Sequence, residues 1–148
     1  MFNFLKRKKN GKDKVKKYME NICDEYSKHR YNNQNKDGSR LLFDSSITDI
    51  YFRDSLNTLN GLDFKELNDC VAKGMTEDIA YSILMDAAAQ RLSSGSRSDF
   101  LSLVATPATE AILFIRYLCD KELELKYITE EKYKEVSDWV QQTIQSSI

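Results

Sequence analysis

The strongest nucleophilic or metal-ligating groups in the 148-residue chain are one imidazole, His29, and three thiols, Cys23, Cys70 and Cys119. A Ser-His-Asp or Cys-His triad would have to be built on His29, and no Gly-x-Ser-x-Gly elbow supplies its partner. His29 lies between Lys28 and Arg30 at the end of a predicted helix, where the helix dipole accounts for it without catalysis. The cysteines lack C-x-x-C spacing and no His pair at i, i+4 exists, so a metal centre is not expected. They fall in or beside apolar helical stripes and read as reduced, packed thiols of a cytoplasmic protein. Neither GxGxxG nor GxxxxGK[ST] occurs for a nucleotide phosphate, and the Glu-x-x-His pairs of a di-iron bundle are absent. The expectation is a protein that is not an enzyme and carries no cofactor or metal.

Basic groups give two further candidates. Arg91 and Arg97 flank Leu92-Ser93-Ser94-Gly95-Ser96, a serine loop ahead of a helix N-terminus, an arrangement able to hold an anion. Arg116 interrupts the apolar run Ala111 to Cys119. A guanidinium there requires a carboxylate, for which Asp120 one turn on is the local candidate, or it binds an anion itself. Gly74-Met75-Thr76 between two helical stretches suggests a helix-turn-helix. The would-be recognition helix, Glu77 to Ala89, is acidic at its start and apolar after it, which disfavours base reading and a nucleic-acid partner.

The net charge of −1 conceals a division. Residues 1–17 hold eight Lys or Arg against Asp13, a balance of +7, which leaves 14 basic and 22 acidic residues, a balance of −8, for 18–148. An acidic body favours encounter with a basic partner protein. Its candidate contacts are the acids of the last helices: Glu122, Glu124, Glu130, Glu131, Glu135 and Asp138. The leader offers a different contact, since Phe2, Phe4 and Leu5 followed by Lys6, Arg7, Lys8 and Lys9 could enter a bilayer surface while the cations meet anionic lipid. No stretch reaches the about 18 apolar residues of a membrane span, and the regions of a secretory signal occur in the wrong order.

One Pro and five Gly leave long stretches that helices fill, so the fold class is all-α. Asp13 is positioned to cap a first helix that carries Val15, Tyr18, Met19, Ile22, Cys23 and Tyr26 and ends at Tyr31, before a polar loop at 32–39. A second helix begins after Asp44-Ser45-Ser46 and stops before Gly61, expected in a left-handed C′ conformation. Asp63 with Glu66 opens a third helix that yields at Gly74, and Thr76 is expected to cap a fourth. A short turn of helix runs from Asp99 to Val104, Thr106-Pro107 opens the most apolar helix, and Thr129 caps the last. The architecture expected is an irregular bundle of five to six helices around a central buried helix at about 107–125, with 1–12 a basic leader and 13–148 one domain. The function expected is non-enzymatic protein binding, most concretely by an acidic inhibitor, such as an immunity protein, that blocks a basic, nuclease-like toxin. The alternatives are a membrane or scaffold adaptor working through the leader, and a helix-turn-helix or anion-binding regulator.

Overall fold

The computed structural model describes residues 11–33 and 42–148. Among them are seven helices: α1 (Gly11–Asn33), α2 (Ser45–Asn60), α3 (Phe64–Ala72), α4 (Thr76–Ser93), α5 (Arg97–Leu101), α6 (Pro107–Glu124) and α7 (Glu130–Ser147). The expected central helix is α6, which buries Ala111, Phe114, Ile115, Leu118 and Cys119. It packs most extensively on α4, and α4 in turn meets α1, α2 and α7, so two adjacent helices share the middle of the bundle. The small residues Ala80, Ala87 and Ala88 of α4 are buried there, where a lack of side-chain bulk lets neighbouring helices approach. No helix among the described residues is long and apolar enough to cross a membrane.

Helix boundaries follow local hydrogen-bonding demand. Asp44, Asp63, Thr106 and Thr129 each accept a bond from a first-turn amide, satisfying donors that have no partner inside the helix. Two expected caps do not act as such. Helix α1 begins at Gly11, whose N–H donates to Asn68 Oδ1 at 2.8 Å, so Asp13 falls within the first turn instead of capping it. A Cβ on Gly11 would stand 2.7 Å from Val71 Cγ2, and the missing side chain is what lets α1 and α3 touch. Thr76 is already helical and Met75 precedes it without a side-chain cap. The reason lies in a Schellman closure of α3: Gly74 takes φ 81, its N–H bonds Val71 O, and Met75 N–H bonds Cys70 O at 3.1 Å, which commits Met75 to the turn. Gly61 has φ −88, so it closes α2 in the right-handed region and not in the left-handed one expected. The first helix also runs two residues beyond Tyr31, through Asn32 and Asn33; the remainder of the loop expected at 32–39 lies outside the described residues, as does 1–10 of the leader.

The apolar stripe of α1 ends on a charge. Val15, Met19, Ile22 and Tyr26 are buried, and the next step of four reaches Arg30, which is 1% exposed. Its Nε donates to Oε1 of Glu110, itself 0% exposed, on the first turn of α6. Aromatic rings enclose the pair: the Arg30 guanidinium lies 5.2 Å from the Phe43 ring centre, Tyr26 stands 4.7 Å from Phe114, and Tyr51 stacks on Phe114 at 4.9 Å and 8°. Burial, and then the Glu110 carboxylate, push the Tyr26 and Tyr51 phenols well above their ordinary range, so both remain neutral. Tyr51 donates its hydroxyl proton to Pro107 O, tying α2 to the start of α6.

Removing one member of a buried ion pair strands the other in an apolar site, at a cost of about 3–5 kcal/mol. Arg30→Met and Glu110→Gln are each expected to destabilise the fold by that amount in urea denaturation. The double substitution Arg30→Met/Glu110→Leu is expected to cost far less than the sum, because no unpaired charge is left behind. Additive losses would show that the two side chains do not depend on each other.

Candidate functional site

Of the acids expected to face a partner, Glu124 is exposed at the end of α6 and Glu130, Glu131, Glu135 and Asp138 are exposed on α7. At 3.6 residues per turn, the steps of four and three between Glu131, Glu135 and Asp138 put them on one face of α7. Trp139, adjacent to that face, is 37% exposed. The opposite stripe, Tyr133, Val136, Val140 and Ile144, packs against the core, yet no residue of α7 is fully buried. Lys132 approaches Glu135 at 3.7 Å, and with both side chains more than half exposed the contact contributes little.

Glu122 corrects the expectation. It is 5% exposed and points into a cavity of about 190 Å³ between α4, α6 and α7, whose lining includes Met85, Asp86, Cys119, Lys132 and Val136. The steps of four and three through Ala111, Ile115, Leu118 and Glu122 carry the buried stripe of α6 onto this carboxyl group. Desolvation, reinforced by Asp78, raises its pKa from 4.5 to about 7. Its backbone carbonyl accepts the N–H of Tyr127 at 2.8 Å as the chain leaves α6 through Lys126, whose φ is 64. The same residue therefore closes α6 with its backbone and underlies α7 with its side chain.

The three arginines do not form one site. Arg91 is engaged by Asp54 of α2 in a two-bond fork, Nε to Oδ2 at 2.7 Å and Nη2 to Oδ1 at 3.0 Å, so a carboxylate of this chain already occupies part of its guanidinium. Arg97 is exposed at the start of α5, and the serine loop before it is turned inward: Ser96 donates through its backbone N–H and its hydroxyl to Asp99, placing a carboxylate where an anion would sit. Arg116 is exposed, not internal, because the buried stripe of α6 leaves positions 116 and 120 facing outward. Asp120 does not pair with it; that carboxylate accepts the Tyr133 hydroxyl at 2.7 Å. The would-be recognition helix of the helix-turn-helix alternative, α4, buries seven residues from Ala80 to Leu92 in the core and carries Glu77 and Asp78 in its first turn. Burial, with nearby carboxylates, pushes the Cys23 and Cys119 thiols up to about 12, leaving them unreactive. Among the described residues no group of three His, Cys, Asp or Glu could hold a metal ion. The leader residues Phe2, Phe4, Leu5, Lys6, Arg7, Lys8 and Lys9 lie outside the described residues.

No protein-family model matches the chain, and no curated protein or solved structure is significantly similar to it.

The Glu122 carboxyl group binds its proton more tightly in the folded chain than in the unfolded one, so between pH 4.5 and about 7 the folded state holds the extra proton. Its contribution is fully present at pH 4.5 and below, and is lost as pH rises toward 7. Glu122→Gln, which cannot ionise, is expected to gain stability relative to the parent by about 1–3 kcal/mol across that window and to hold the gain above it. Paired urea melts at several pH values measure the difference; a difference that ignores pH would contradict the assignment.

Proposed function

We propose that this chain is a non-enzymatic protein-binding domain that docks a basic protein on the outer face of α7. The observation that carries the reading is the double character of that helix: it buries none of its residues fully, yet it turns Glu131, Glu135 and Asp138 outward beside an exposed Trp139. A row of carboxylates raises the rate of encounter with a basic surface and rejects acidic ones. An amphipathic aromatic ring among them supplies the kind of anchor on which interface energy concentrates. Glu124 and Glu130 extend the same end of the molecule, and Glu122 drops out of the contact set because it is buried.

The most concrete version is an acidic inhibitor of a nuclease-like toxin, in the manner of an immunity protein. An enzyme that binds phosphates presents a basic cleft, and carboxylates spaced along a helix can occupy the positions of those phosphates while the helix body blocks entry. Action in the cytoplasm accords with Cys23, Cys70 and Cys119 being free thiols. The adaptor alternative rests on the order of Phe2, Phe4, Leu5 and the basic residues that follow them.

The test uses the full chain as bait in extract of its native host, beside a triple variant, Glu131→Lys/Glu135→Lys/Asp138→Lys, whose helical circular dichroism confirms folding. The expected result is retention of a basic protein by the parent at physiological ionic strength, more at low salt and strong depletion near 1 M salt, with loss of at least about nine-tenths of it with the variant. Retention that ignores salt, survives the triple substitution, or involves only acidic proteins would overturn the reading, as would no retained protein at all.

A further inference from the structure

Helix α7 does not close fully onto α6. Its inward residues Val136, Val140 and Ile144 remain partly exposed, and between them and Ile115 of α6 lies a cavity of about 190 Å³. That is larger than the roughly 150 Å³ apolar cavity known to admit benzene. Arg116 stands in its wall and also lines a second cavity, of about 320 Å³, on the α1 side of α6. The guanidinium makes no ion pair with a described residue, since the neighbouring Asp120 carboxylate is engaged by Tyr133. A largely apolar slot, with Ser137 and Gln141 as neutral polar members and one guanidinium in its wall, is complementary to an amphiphilic anion.

We propose that the α6–α7 groove binds an amphiphilic monoanion, with an aliphatic tail along Ile115, Val136, Val140 and Ile144 and a carboxylate head on Arg116. A planar carboxylate matches the guanidinium fork, which a compact ammonium would not provide. A single charge fits better than a phosphate dianion, because Arg116 is the one cation lining the α6–α7 groove and neutralises one negative charge there. The tail gains the apolar contact that α7 leaves incomplete, so occupancy tightens α7 on the bundle. The site is independent of the acidic outer face, which lies on the opposite side of the same helix.

The probes are octanoate, octan-1-ol, which has the tail without the charge, and acetate, which has the charge without the tail. They are titrated calorimetrically into the full chain and followed by isoleucine methyl NMR. Octanoate is expected to bind more tightly than either control and to shift the methyl signals of Ile112, Ile115 and Ile144. Arg116→Gln, at an exposed position that leaves the core intact, is expected to weaken octanoate at least about tenfold and leave octan-1-ol unchanged. Val140→Phe, which fills the slot, is expected to weaken both. Absence of octanoate binding, equal binding by Arg116→Gln, or methyl shifts confined to other parts of the bundle would overturn the proposal.

Discussion

The buried contact between Arg30 and Glu110 is the constraint around which the bundle is arranged. It joins the last turns of α1 to the first turn of α6, so two helices far apart in sequence can pack in only one axial register. A slide of either helix by one turn would place a charge against Tyr26, Tyr51 or Phe114 with nothing to satisfy it. Such a pair adds little net stability over apolar side chains of the same volume, but it penalises every misregistered packing heavily. The rings of Tyr26, Phe43, Tyr51 and Phe114 hold water away from it, and the Tyr51 hydroxyl bonded to Pro107 fixes α2 to the same point.

From that point burial falls off toward the C-terminal helix. Helices α1, α2, α4 and α6 contribute nearly all the side chains with no solvent exposure, whereas α7 contributes none. Beneath α7 sit a carboxyl group whose pKa burial raises to about 7, a cavity beside it, and a second cavity walled by Arg116. A helix attached in this way costs the core little if it shifts, and can give its outer face to a partner without compromise. The division between a register-locked interior and a lightly seated helix is the physical basis of the functional reading.

Much of this architecture was legible from residue spacing. The all-α class, the central helix opened by Thr106-Pro107 and the caps at Asp63 and Thr129 all follow from local chemistry that the fold leaves unopposed. What was not legible is where charges sit on otherwise apolar stripes. Arg30 continues the Val15–Met19–Ile22–Tyr26 stripe, and Glu122 continues Ala111–Ile115–Leu118, yet a charged residue reads as the end of a buried face when its partner is unknown. Glu110, 80 residues from Arg30, could be matched to it only once the helices were docked. Arg116 erred in the opposite sense, because an apolar run suggests burial all round while the helix still has an outer side. Thr76 shows a local override: a Schellman closure at Gly74 and Met75 took over the start of α4 before a side-chain cap could act.

Hydrogen–deuterium exchange of the free chain tests the central division most directly, since it reads the opening free energy of each helix separately. Slow, globally limited exchange is expected for the central amides of α4 and α6 and for the Tyr26–Arg30 turn of α1, with α7 exchanging at least about tenfold faster through an opening that leaves the rest protected. Protection of α7 equal to that of α6 would contradict it, because the C-terminal helix would then belong to the same cooperative unit as the buried ion pair.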